Sequence, residues 1–114
     1  MIVEDDRSAR RAVAAILTRQ GFAVSEVGTV AEALGALVVR PQLPPPDWIL
    51  LDLMLPDGCG IDVIRRAQHE HVPSKICVIT GCCAELLEEA RTAGVAHAFT
   101  KPLDVKRLMA ALCA

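Results

Sequence analysis

The stretch Trp48-Ile49-Leu50-Leu51-Asp52-Leu53-Met54-Leu55-Pro56-Asp57-Gly58-Cys59-Gly60 decides how the chain is read. Its first four residues are an unbroken apolar run, the pattern of a strand buried on both faces, as in a parallel sheet covered by helices. The run stops at a carboxylate, Asp52, and Pro56, Gly58 and Gly60 predict a loop behind it. From Ile61 to about Glu70 the spacing predicts a helix with Ile61, Ile64 and Ala67 turned inward. Strand, acidic stop, loop and helix form one β/α unit.

The same unit recurs on both sides. Downstream, Lys75-Ile76-Cys77-Val78-Ile79-Thr80 predicts a second buried strand, and Leu86, Leu87 and Ala90 stripe a helix that Gly94 ends. On that helix Glu85, Glu88, Glu89 and Arg91 fall on the solvated side. Ala96 to Thr100 predicts the last strand, and Asp104 caps a final helix carrying Val105, Leu108, Met109 and Leu112. Upstream, Ile2-Val3 ends a short strand, and Arg7 to Gln20 predicts a helix with Ala9, Val13, Ile16 and Leu17 on one face. Arg10, Arg11 and Arg19 lie on its other faces, and Gly21 is placed as its left-handed cap. Phe22 to Val27 predicts a strand between two glycines, and Thr29 with Glu32 forms a capping box for a helix bearing Val30, Ala33, Leu34, Leu37 and Val38. That helix must stop before Pro41, and residues 41–46 form a stiff proline connector within one domain. Five β/α units imply a parallel sheet with helices on both faces, whose binding crevice lies at the carboxyl ends of the strands.

Composition removes several classes of function. The chain has 114 residues, a length for one domain with its own core, and 53% of them are hydrophobic against 23% charged. A net charge of −2 from 12 Lys+Arg and 14 Asp+Glu offers no basic surface for nucleic acid or anionic lipid. No apolar run nears the ~20 residues needed to span a bilayer, and the acidic start is unlike a secretory signal. Five cysteines without a CxxC pair predict free thiols in a reducing cytoplasm. With aromatics at 3%, a base-stacking surface is not expected.

The predicted strand ends carry the chemistry. Glu4, Asp5 and Asp6 follow the first strand; Asp52, Thr80 and Lys101 stand at the ends of the third, fourth and fifth. Clustered carboxylates repel unless a cation joins them, and carboxylate oxygens suit Mg²⁺. Acids, Mg²⁺, a lysine and a hydroxyl together can hold a phosphoryl group, with Asp52 aimed as the nucleophile.

In these features the sequence resembles the receiver domain of bacterial two-component response regulators, over essentially its whole length, residues 1–114. Ile2-Val3-Glu4-Asp5-Asp6 resembles the acidic start of that family, Leu50 to Gly60 its phosphoacceptor loop, Ile79-Thr80-Gly81 its switch residue, and Lys101-Pro102 its Lys-Pro signature. The resemblance implies a flavodoxin-like (βα)5 doubly wound sandwich with strand order 2-1-3-4-5. It implies that Asp52 accepts a phosphoryl group from the phosphohistidine of a sensor histidine kinase or histidine phosphotransfer protein. Glu4, Asp5, Asp52 and the backbone carbonyl of Met54 would bind Mg²⁺, Thr80 would swing to the phosphoryl oxygen, and Lys101 would pair with it beside a cis Lys-Pro bond. Such a domain catalyses its own phosphorylation and dephosphorylation and turns over no metabolite. It controls an effector domain outside this chain or acts as a stand-alone regulator, and any homodimer is expected through the fourth and fifth helices. Direct binding of nucleic acid or membrane is not expected.

One position departs from the family. Three residues before the lysine, where Tyr or Phe is frequent, stands Ala98, and Phe99 points to the opposite face. Other residues receive plain readings: Asp6 as a helix N-terminal charge, Asp57 as a turn residue, Trp48 as packing, His97 as a strand histidine. His69 and His71 are read as lying on different faces of a helix, and Cys82-Cys83 as rim thiols. Competing functions are a phosphatase of the haloacid dehalogenase type, a flavin protein, and a pseudo-receiver that only docks partners. Met54 stands where the phosphatase needs an acid, the acidic start would repel a flavin phosphate, and the complete charged set exceeds what docking requires.

Overall fold

The computed structural model describes residues 1–81 and 83–113; of the rim thiols, Cys82 lies outside them. The elements in chain order are β1 (Ile2–Val3), α1 (Arg7–Arg19), β2 (Glu26–Val27), α2 (Val30–Leu34), β3 (Trp48–Leu51), β4 (Met54–Leu55), β5 (Gly58–Cys59), α3 (Gly60–His69), β6 (Lys75–Thr80), α4 (Ala84–Thr92), β7 (His97–Thr100) and α5 (Val105–Leu112). Five strands form one parallel sheet in the order β2-β1-β3-β6-β7, which is 2-1-3-4-5 when the short β4–β5 pair is left out. The fold is the expected doubly wound α/β sandwich.

Period-two alternation in the central strands builds two cores. Val3, Ile49, Leu51, Ile76 and Val78 face Ala33, Ile61, Ile64, Leu87 and Ala90 of α2, α3 and α4. Ile2, Leu50, Cys77 and Ile79 face Ala14 and Leu17 of α1 and Leu108 and Leu112 of α5. Burial pushes the Cys77 thiol up to about 12, so it is a core residue and no nucleophile. Ala98 packs with the first core and Phe99 with the second, so the two residues do lie on opposite faces.

Where the sequence reading and the structure differ, hydrogen-bonding partners explain it. The expected strand Phe22–Val27 shrinks to Glu26–Val27, because β1 offers only Ile2 and Val3 for pairing. The second helix widens into a π-helical turn over Gly35–Val39, with the Arg40 amide donating to the Gly35 carbonyl at 2.9 Å. The expected loop after Asp52 is a tight antiparallel hairpin, Met54 pairing with Cys59 and Leu55 with Gly58. His71 is not on α3, which ends at His69; it takes φ 55° just beyond the helix. There its amide donates to the Gln68 carbonyl and that of Val72 to Ala67, as Gly21 and Phe22 do after α1.

The caps follow expectation. Asp6 accepts from the Ala9 amide, Thr29 from Glu32 and Asp104 from Arg107. Trp48 lies beside His97 (ring centroids 6.0 Å apart), and His97 stacks on Phe99 at 5.9 Å. Cys59, Cys77 and Cys113 are free thiols. Among the described residues no helix is long and apolar enough to cross a membrane.

Candidate phosphoryl-transfer site

The parallel sheet carries β1, β3, β6 and β7 side by side and in register, so residues far apart in sequence meet at one rim. Leu51 pairs with Val3 and with Val78, and Thr80 with Thr100. Glu4 and Asp52, each the first residue past its strand, are 7% exposed, and Thr80 is fully buried. Three buried polar groups converging on one point of an otherwise apolar core need partners.

Thr80 and Asp52 partner each other, and Lys101 and the Met54 amide supply the rest. The Thr80 hydroxyl donates to Asp52 Oδ1 at 2.9 Å, and the Met54 amide donates to the same oxygen at 3.1 Å. Lys101 Nζ donates to Asp52 Oδ2 at 2.9 Å and to Glu4 Oε1 at 2.7 Å. The Thr80 hydroxyl is thus bonded directly to Asp52 in this structure. Glu4 Oε2 is buried without a hydrogen-bond partner. The Lys101-Pro102 bond is cis.

Electrostatics divides the two acids. Burial, and then the adjoining Asp52 carboxylate, raise Glu4 to about 7 against the pull of Lys101. Burial also works against the charge of Asp52, but contacts from Glu4, Lys101, the Met54 amide and Thr80 outweigh it and leave Asp52 lowered. Glu4 is thus the more readily protonated acid of the pair, and Asp52 the one kept charged. Lys101 is raised because its two carboxylate partners outweigh partial burial.

The donor set suits a divalent cation. Glu4, Asp5 and Asp52 each bring a carboxylate oxygen within 4.8 Å of the others. Asp5 is exposed while its neighbours are buried, so the cluster opens to solvent on one side. The orphaned Glu4 oxygen marks where a positive charge is wanted, and hard oxygen donors are what Mg²⁺ takes.

Three contributions escaped the sequence reading. Arg10, read as lying on an outer face, turns its Nη1 to the Glu4 carbonyl at 2.8 Å. Asp57, read as a turn residue, accepts from the Val30 and Ala31 amides at 2.8 and 3.0 Å, and these bonds hold its carboxyl below the usual range. Gly60 touches the backbone at the strand end that carries Asp52: a Cβ there would lie 2.5 Å from the Asp52 carbonyl oxygen. Only the Pro56-Asp57-Gly58 turn hinted at any of them.

A fold of this order with acids, threonine and lysine on one rim is that of phosphoacceptor signalling domains. A model of the family described as "Response regulator receiver domain" matches residues 1–113, and the chain belongs to that family. Among curated relatives it is 35% identical over 114 residues to the phosphate regulon transcriptional regulatory protein PhoB of Escherichia coli K12, covering 96% of this chain and 48% of that protein. It is 32% identical over 113 residues to the photosynthetic apparatus regulatory protein RegA of Rhodovulum sulfidophilum, covering 98% of this chain and 60% of that one. The chain thus spans half to three-fifths of the curated relatives it matches. A solved response regulator protein from Burkholderia pseudomallei, described with a phosphorylated aspartic acid, calcium ion and citrate, superposes with TM-score 0.82 at 26% identity, covering 97% of this chain and 64% of that one. The chain is a two-component receiver, and its family is not one of metabolic catalysts.

Proposed function

We propose that Asp52 is the phosphoacceptor of a single receiver domain spanning residues 1–114, with Thr80 and Lys101 as its catalytic partners. The observation that carries this reading is the Asp52 carboxylate: buried, charged, and held at both oxygens by Thr80, the Met54 amide and Lys101. A carboxylate so placed is fixed in direction, which lowers the cost of reaching an in-line geometry. In the reaction an Asp52 oxygen forms a bond to phosphorus while the bond from phosphorus to the donor's imidazole nitrogen breaks. The electron pair leaves with the imidazole. The Thr80 hydroxyl and Lys101 ammonium, freed from Asp52, hydrogen-bond the transferred oxygens.

Glu4, Asp5, Asp52 and the Met54 carbonyl are the groups that would hold Mg²⁺. Bound there, the ion supplies positive charge against the phosphoryl oxygens. The B. pseudomallei relative, described with a phosphorylated aspartic acid and a calcium ion, supports both parts of this reading. The donor is a sensor histidine kinase or a histidine phosphotransfer protein in the cytoplasm, where the free thiols stay reduced. The state of Asp52 then controls an effector domain or partner, and self-association, where it occurs, uses α4 and α5. Substitutions on those helices that leave association unchanged would remove that last assignment. A docking-only role is not favoured, because docking gives no reason to bury two acids beside a lysine.

The test is the intact mass of the chain after incubation with acetyl phosphate, with and without Mg²⁺, alongside Asp52→Asn. The expected result is a single Mg²⁺-dependent phosphoryl adduct on the parent and none on the variant. An adduct that survives in Asp52→Asn overturns the assignment.

A further inference from the structure

We propose that Arg10 is a positioning residue for phosphoryl transfer, a clamp that fixes the Glu4–Asp5 turn in the geometry that takes a divalent cation; this rests on the metal reading above. Arg10 lies in the first turn of α1 and spans the acidic turn from both ends. Its Nη1 donates to the Glu4 carbonyl at 2.8 Å, and its own amide donates to the Asp6 carbonyl at 2.9 Å. The Glu4 amide is engaged too, donating to the Val27 carbonyl of β2 at 3.1 Å. The Glu4 backbone is therefore bonded at both its amide and its carbonyl, and the Arg10 side chain supplies the carbonyl bond.

The guanidinium is itself anchored. Nε donates to Glu26 Oε1 at 3.3 Å, and the Arg10 side chain is only 19% exposed. Its neighbour Arg11 reaches the same glutamate at 3.6 Å but is 66% exposed and makes no bond to the acidic turn. Gly28 leaves the space: a Cβ there would sit 3.1 Å from Arg10 Nη1 and 3.6 Å from the Glu4 carbonyl oxygen. Arg10 also lines, with Glu4, Asp5, Asp52 and Lys101, the cavity of about 520 Å³ at the rim. A fork that bonds a carbonyl with one nitrogen and a carboxylate with another is a geometry lysine cannot reproduce.

Charge and position act in opposite directions here, which dictates the variants. Removing the guanidinium charge leaves Glu26 with the exposed Arg11 as its cation and makes the region more negative, strengthening cation binding, whereas loosening the turn weakens it. Arg10→Lys keeps the charge and loses the fork. Gly28→Ala keeps every charge and crowds Nη1.

The measurement is the Mg²⁺ dissociation constant of the full chain by calorimetry. Acetyl-phosphate phosphorylation rates against Mg²⁺ concentration and urea unfolding midpoints are recorded beside it. In Arg10→Lys the dissociation constant is expected to rise roughly tenfold, with the rate at saturating Mg²⁺ within about twofold of the parent. Gly28→Ala is expected to move it in the same direction. A dissociation constant within twofold of the parent in both variants overturns the role of Arg10, as does a lost maximal rate with unchanged Mg²⁺ affinity. Failure of the unaltered chain to bind Mg²⁺ would instead overturn the metal reading itself, and the clamp with it.

Discussion

Glu4 and Asp52 stand at the ends of adjacent strands and are equally buried, yet the structure treats them in opposite ways. Both oxygens of Asp52 are hydrogen-bonded, and its neighbours hold it charged. Glu4 has one oxygen on Lys101 and one with no hydrogen-bond partner, and burial raises its pKa to about 7. Lys101 serves both acids, but one cation cannot neutralise two buried carboxylates. Asp52, the proposed nucleophile, is thus hydrogen-bonded at both oxygens, while the proposed metal-binding half around Glu4 keeps an oxygen without a partner.

The largest expected effect bears on the organised half. Gly60→Ala puts a methyl group against the Asp52 carbonyl and Leu53, whose backbones are tied by the Asp52 amide to Val3 and by the Gly60 amide to the Leu53 carbonyl. We expect a loss of about 2–3 kcal/mol in urea unfolding, net of any gain in helix propensity. An unchanged midpoint would mean that the strand end bearing Asp52 is softer than its hydrogen bonds imply.

The next effect addresses the other half. Glu4 must lose its proton to bind a cation, and its value is raised from 4.5 to about 7. Binding is therefore suppressed on the acid side, strengthens as pH rises through about 7, and levels off above it. Calorimetry should find Mg²⁺ affinity roughly tenfold higher at pH 8 than at pH 6, with proton release at the lower pH. A flat profile would show that Glu4 is already ionised and that the two acids are more alike than described here.

The smallest effect tests whether Thr80 belongs wholly to the Asp52 side. Because its hydroxyl already rests on Asp52 and Ala98 cannot gate it, Ala98→Tyr should leave the acetyl-phosphate phosphorylation rate within about twofold. A larger change would tie Thr80 to the α4–β7 surface and extend the comparison beyond the rim.

Much of this was legible in advance because it is written in short-range pattern. The apolar runs Trp48–Leu51 and Lys75–Thr80 named their strands, and Gly21, Gly94, Asp6, Thr29 and Asp104 marked helix ends by their own backbone chemistry. Less local features were misread. Phe22 to Ser25 look like strand, but the ladder with β1 runs only from Ile2 and Val3 to Glu26 and Val27, and of the earlier residues the Ser25 carbonyl alone takes a β1 amide, that of Ile2. His71 occupies a position with φ 55° that glycine fills after α1 and α4, so its residue type gave no warning of the helix end.

At the rim, the order of the elements was enough to bring Glu4, Asp5, Asp52, Thr80 and Lys101 together, because parallel strands joined by right-handed crossovers must present their carboxyl ends on one side. Periodicity and topology act on the chain as a whole and survive without coordinates. Which of two adjacent arginines grips the Glu4 carbonyl, which loop aspartate caps α2, and which acid keeps the proton depend on distances across 6 to 97 positions of sequence. Those contacts are set by side-chain reach and local burial, and they exist only once the sheet has formed.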